Sequence, residues 1–179
     1  GIIDNKLARG EIKVQKIDLF NSDLKLKDIE FNLSTKADMS DIVLTAKTDE
    51  NGIAYFSNLE LGTYYIQEKE QIDGYILNNT IYEVEISNNG DVLTINCENK
   101  PLEMFFSKVD ETGVNELPGA KIQIIDKETN EIVEEWISSD EPHIVRYLVE
   151  GKEYIMKEIT APNGYLIAEE ITFKAGDNE

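Results

Sequence analysis

The sequence has little of several residue types that carry chemistry. Its 179 residues include one cysteine and one histidine. A single cysteine, Cys97, excludes an internal disulfide, and it gives no compartment signal, because extracellular proteins also do without disulfides. A single histidine, His143, leaves a His-based metal site or catalytic triad without partners, and it reads as a strand residue. No apolar run is long enough to span a membrane. No basic-then-apolar leader follows Gly1, and the chain reads as a segment of something longer. Basic residues are scarce, 17 against 36 acidic, for a net charge of −19. That balance argues against nucleic acid and anionic membranes as partners and suits a soluble surface. The acidic turns lack the spacing of a calcium loop, so neither a metal nor a cofactor is expected. No stretch has helical periodicity.

What is present is alternation, and it is repeated. Tyr64-Tyr65-Ile66-Gln67-Glu68 runs on to Gly74-Tyr75, and Tyr154-Ile155-Met156-Lys157-Glu158 runs on to Gly164-Tyr165 at the same spacing. A strand sends alternate side chains to opposite faces. Tyr64, Ile66 and Glu68 therefore share a face, as do Tyr154, Met156 and Glu158. An aromatic and an aliphatic residue mark that face as buried, so each glutamate points into a core, where it needs a partner or a task. Ile12, Val14 and Lys16 form a similar face, repeated by Met104, Phe106 and Lys108. Ile29, Phe31 and Leu33 correspond to Ala120, Ile122 and Ile124. Further strands are expected at 42–46, 53–56, 81–86, 92–99, 132–137, 143–148 and 171–174. Thr48 to Gly52 is a tight turn whose Asn-Gly pair supplies positive φ.

Lys16 and Lys108, Glu68 and Glu158, and Tyr75 and Tyr165 recur at an offset of roughly 90 residues, the size of a unit that folds alone. The sequence thus predicts an all-β protein of two tandem β-sandwich domains. Residues 11–100 form the first and 101–179 the second, with the boundary at Asn99-Lys100-Pro101, where proline interrupts the ladder. Residues 1–10 are a lead-in or the tail of a preceding repeat, since Ile2 to Lys6 matches Asn96 to Lys100.

Each repeat places a lysine and a glutamate on faces that read as buried, and the first adds Asn99. Burial disfavours the charged forms of lysine and glutamate. A neutral lysine amine is a nucleophile, and a protonated carboxyl can polarise a carboxamide. Attack of Lys16 on Asn99, with Glu68 as acid and base, would expel ammonia and leave an amide, once per molecule and without a cofactor. The alternative is a buried Lys–Glu ion pair with Asn99 as a strand-end residue. Cys97, on the same apolar face as Asn99, reads as a small core residue. Trp136 and the tyrosines read as core. Leu117-Pro118-Gly119-Ala120 lacks the Thr-Gly, apolar span and basic tail of a sorting signal.

The ordered series of motifs resembles the B-type repeats of the collagen adhesin Cna, the Cna-B or SpaA-like domains of Gram-positive surface adhesins and pilins. The motifs are Gly10 to Asp18, Thr48 to Gly52, Leu59 to Tyr64, Glu68 with Gly74-Tyr75, and Glu98 to Pro101. The second repeat adds Ser107 to Asp110, Leu117 to Ala120, Trp136 to Ser138 and Lys157 to Tyr165. The resemblance implies a prealbumin-like, reversed immunoglobulin sandwich. It also implies an intramolecular isopeptide bond between Lys16 and Asn99 assisted by Glu68, with Lys108 and Glu158 at the matching positions. Asp28-Ile29 stands where the family usually has Gly-Ala. The function implied is a stalk or backbone segment of a cell-wall-anchored adhesin or pilin on a Gram-positive cell surface, not an enzyme. Its partners would be neighbouring domains of the same surface protein. The competing function is an adhesive module that binds a host matrix protein or a glycan.

The second repeat is expected to differ. Aligning Ile171 with Ile81 puts residues 176–179 at the turn before a final strand, with Asp177 and Asn178 too early to face Lys108. Lys108 is then expected to pair with Glu158 without a covalent partner in this chain. An unpaired sheet edge invites a strand from a neighbour, for which residues 2–6 are one donor.

Overall fold

The computed structural model describes residues 1–177 and contains strands, turns and loops, with no helix among them. Asn178 and Glu179 lie outside the described residues, so the expected turn at 176–179 is described only as far as Asp177. The chain divides into two compact units, Gly1–Ile72 with Ile76–Lys100, and Asp73–Tyr75 with Pro101–Glu179.

The first unit holds β1 (Arg9–Asp18), β2 (Glu30–Ser34), β3 (Ile42–Lys47), β4 (Ile53–Glu60), β5 (Gly62–Glu68), β6 (Tyr82–Ile86) and β7 (Val92–Asn99). One sheet has the order β4-β1-β7 and the other β3-β2-β5-β6. Every pairing is antiparallel except that of β1 with β7, which run parallel from Glu11 beside Val92 to Asp18 beside Asn99. Alternation decides which residues meet between the sheets. β1 contributes Ile12 and Val14, β2 contributes Phe31 and Leu33, and β5 contributes Tyr64 and Ile66, all in one buried cluster. Burying a side chain such as Phe31 stabilises the fold by about 1.5–3 kcal/mol.

The second unit repeats the plan with β8 (Glu103–Phe106), β9 (Lys121–Asp126), β10 (Ile132–Ile137), β11 (His143–Arg146), β12 (Glu153–Thr160) and β13 (Ile171–Lys174). Its sheets are β11-β8 and β10-β9-β12-β13. Among the described residues no strand occupies the place of β7, so β8 has one neighbour. Ile124, Val145, Leu148 and Tyr154 form its buried cluster, with Phe106, Trp136 and Phe173 packed against it. Trp136 also carries the His143 ring stacked at 4.4 Å, and His143 Nε2 lies 3.1 Å from Glu134 Oε1. His143 is thus a strand residue whose partners are an indole and a carboxylate.

The same hydroxyl clamp appears in both units. Thr48 Oγ1 donates to the Leu26 carbonyl at 2.7 Å and accepts from the Ile29 N–H at 3.0 Å. Ser138 Oγ donates to the Leu117 carbonyl at 2.6 Å and accepts from the Ala120 N–H at 2.9 Å. Between each pair of clamped groups lies a backbone position with positive φ, Asp28 at 61° and Gly119 at 95°. Aspartate is among the few side-chain-bearing residues that visit this region readily, which explains how Asp28 replaces a glycine. Thr48→Val and Ser138→Ala leave a buried carbonyl and N–H unsatisfied. Each is expected to lower stability by about 1–3 kcal/mol, read from urea unfolding; a change within error in both would remove the clamp from the account.

Candidate functional site

In the first unit the site is built across the two sheets. The parallel register sets Lys16 beside Cys97 and Asp18 beside Asn99 on adjacent strands. Lys16, Cys97 and Asn99 are all buried, so they share the inner face of one sheet. Glu68 comes from the facing sheet, where β5 carries it inward after Tyr64 and Ile66. The side chains of Lys16 and Glu68 are both 0% exposed, with Nζ 3.1 Å from Oε2. This contact is an ion pair out of line for a hydrogen bond, since Oε2 has no hydrogen-bond partner. Asn99 Nδ2 donates to Glu68 Oε1 at 3.0 Å, while Asn99 Oδ1 is buried without a donor. One carboxylate thus holds an amine on one oxygen and a carboxamide on the other.

Three further groups border the cluster. Lys16 Nζ donates to Cys97 Sγ at 3.5 Å. Burial pushes the Cys97 thiol up from its ordinary range, against the pull of the Lys16 charge. Tyr82 is pushed up to about 12, chiefly by burial and then by its hydrogen bond with Cys97. Asn78, in the loop between β5 and β6, donates from Nδ2 to the Glu98 carbonyl at 2.9 Å and so fastens β7 just before Asn99. The sequence reading treats Cys97 only as core. Its position two residues before Asn99, on the same face, is the signal that it lies beside the lysine. Asn78 carries no such signal, because it sits in a loop.

The second unit brings Lys108 and Glu158 near one another less closely. Nζ lies 3.9 Å from Glu158 Oε1, with the Lys108 side chain 22% exposed and that of Glu158 4%. Lys108 falls two residues beyond the end of β8, not on a fully buried strand face as the alternation predicts. β8 ends at Phe106, and among the described residues no parallel strand lies beside it. Among the described residues no group of His, Cys, Asp or Glu is placed to hold a metal ion, and no helix is long and apolar enough to cross a membrane.

Comparison with known proteins places this geometry in a family. The SpaA family of prealbumin-like fold domains matches residues 10–101 and again 103–179. The chain belongs to this family, as two all-β domains in tandem. A comparison with curated proteins gave no match. Among solved structures, the chain is similar to the Bacillus anthracis TIE protein, with 28% identity and a TM-score of 0.63. That alignment covers 96% of this chain and 32% of the TIE chain, so the present sequence spans about a third of that protein. It is also similar to a C-terminal fragment of the pilus adhesin SpaC from Lactobacillus rhamnosus GG. There the identity is 21% and the TM-score 0.56, over 94% of this chain and 84% of that one.

The packing around Cys97 makes a direct expectation. In native protein the thiol should resist a water-soluble thiol reagent for hours and react within seconds once denatured. Rapid labelling without denaturant would show that this wall of the site opens.

Proposed function

We propose that the chain is a structural segment of a Gram-positive cell-surface adhesin or pilin, and that its first domain locks itself with a Lys16–Asn99 isopeptide bond. The observation that carries the reading is the shared Glu68 carboxylate, which holds the reacting amine and carboxamide in one dry site. The partners of such a segment are the neighbouring domains of the same surface protein.

The chemistry follows from proton positions. A proton passes from the Lys16 ammonium to Glu68, leaving a neutral amine as nucleophile and a neutral acid as hydrogen-bond donor. Half a turn of the Asn99 carboxamide aims Oδ1, which has no donor, at the Glu68 hydroxyl. That hydrogen bond draws charge from Cγ and supports the oxygen as it becomes negative. Lys16 Nζ attacks Cγ, Glu68 gives its proton to Nδ2 and takes one from Nζ, and the Cγ–Nδ2 bond breaks. One amide bond is formed, one is lost, and ammonia departs. Fixed geometry supplies the rate advantage that a free amine and amide in water lack.

Closing a loop from β1 to β7 restricts the unfolded chain. The chain-entropy treatment used for disulfides gives about 4–5 kcal/mol for loops of this length. Mass spectrometry of denatured protein should therefore find the chain lighter than its sequence by one ammonia. Glu68→Gln and Lys16→Ala should each restore the full mass and lower the melting temperature and protease resistance. A wild-type chain at full mass would reduce the site to a buried ion pair.

A further inference from the structure

The reacting amine of the first unit stands at the end of a flexible side chain, and Glu68 alone does not fix where it points. Nζ lies 3.1 Å from Glu68 Oε2, yet that oxygen has no hydrogen-bond partner. Such a contact attracts the amine without giving it a direction. Among the described residues the hydrogen bond from Nζ goes to Cys97 Sγ, at 3.5 Å, and both residues are fully buried. The parallel pairing of β1 with β7 sets the two side by side. The sulfur is held in turn from its other side. Tyr82 of β6 hydrogen-bonds to it. Asn78 Nδ2 lies 3.6 Å from Sγ and 3.4 Å from the Tyr82 hydroxyl oxygen, and donates at 2.9 Å to the Glu98 carbonyl. The donors balance. A carboxamide has two N–H groups; one serves Glu98, and the other is shared by the sulfur and the phenol oxygen. That leaves the Tyr82 hydroxyl proton to point at Sγ. A lysine, an asparagine and a tyrosine thus aim donors at one thiol.

We propose that Cys97 is a positioning residue for the reaction of Lys16 with Asn99, and that Tyr82 and Asn78 hold its sulfur in place for that purpose. The role rests on the isopeptide reading of the site. Before attack, a proton has to pass from Nζ to Glu68. Once it has, amine and acid are both neutral, and the charge attraction that drew them together is gone. A hydrogen bond to sulfur does not depend on that charge. The neutral amine keeps two N–H groups, one of which stays on Sγ, and its lone pair is left for Asn99 Cγ. A thiol suits the task because sulfur is a weak acceptor: it orients the amine without competing with Glu68 for the proton. The weakness is offset by rigidity, since Cys97 sits on the strand that carries Asn99, and Asn78 fastens the backbone between them at Glu98. Cys97 gives and takes no atoms or electrons in the step; the bonds made and broken are those of the amide exchange.

The experiment times the bond. The full chain is expressed as insoluble aggregates, dissolved in concentrated urea with a reductant, and folded by dilution. Circular dichroism follows folding, while samples quenched in acid are weighed for the loss of ammonia, assigned to Lys16 and Asn99 by peptide mapping. Cys97→Ala is expected to fold and then to lose ammonia roughly ten- to a hundredfold more slowly than wild type, the scale of a misplaced reacting group. Cys97→Ser differs from the alanine variant by one acceptor oxygen and should recover most of that rate. Tyr82→Phe takes a donor from the sulfur without touching the reacting groups and should slow the step by a smaller factor; it keeps the test decisive if Cys97→Ala does not fold. A thiol that serves only as core would change stability and leave the rate of the folded protein alone. Equal rates in wild type and in every variant that folds would therefore overturn the proposal. A serine variant as slow as the alanine variant would also overturn it, because packing and not an acceptor would then be at work. Wild type that folds and keeps its full mass would instead show that the isopeptide reading has failed, and the positioning role with it.

Discussion

A lysine ammonium and a glutamate carboxylate with no exposure to water are the constraint around which the first domain is arranged. Two charges removed from water cost several kcal/mol each unless they meet in good geometry, and removing either one strands the other. Lys16 and Glu68 arrive from opposite sheets, so their contact can form only if the sandwich closes in the correct register. A slip of one residue in β1 would turn Lys16 outward and bring its apolar neighbours to the surface with it. The pair thereby acts as a check on the packing of Ile12, Val14, Tyr64 and Ile66. Asn99 adds a third condition, since its carboxamide must reach the same carboxylate from β7.

The two domains show what the last strand contributes. Where β7 is in place, β1 runs for ten residues and its lysine is fully enclosed. In the second domain, where no such strand lies alongside among the described residues, β8 runs for four, and Lys108 stays partly in water. The two strands share an alternating pattern, Ile12-Val14-Lys16 and Met104-Phe106-Lys108, and differ in their neighbours. The same holds for the glutamates. Glu68 is engaged by side chains from the facing sheet, whereas Glu158 takes a backbone N–H from its own loop.

Much of this was legible in the chain itself. Period-two alternation placed Lys16, Glu68 and Asn99 on inner faces, and the tandem repeat marked the paired positions. The family resemblance supplied the sandwich type that periodicity alone leaves open. The parallel pairing of β1 with β7 is a contact between distant segments, and no local pattern encodes it. The Thr48 and Ser138 clamps were hidden for a different reason. A hydroxyl's partners are backbone groups, and these leave no trace in residue type. Lys108 lies two residues past the end of β8, where alternation no longer fixes a face.

The parallel arrangement of β1 and β7 also sets how the first domain meets mechanical load. Tension applied at Arg9 and at Asn99 pulls the two strands past one another along their length. Their eight paired positions, from Glu11 beside Val92 to Asp18 beside Asn99, are then strained together in shear. An antiparallel pair pulled from one end would instead open like a zipper, one rung at a time. The order of strands in the sheet thus makes the first domain stiffest along the direction in which its chain enters and leaves.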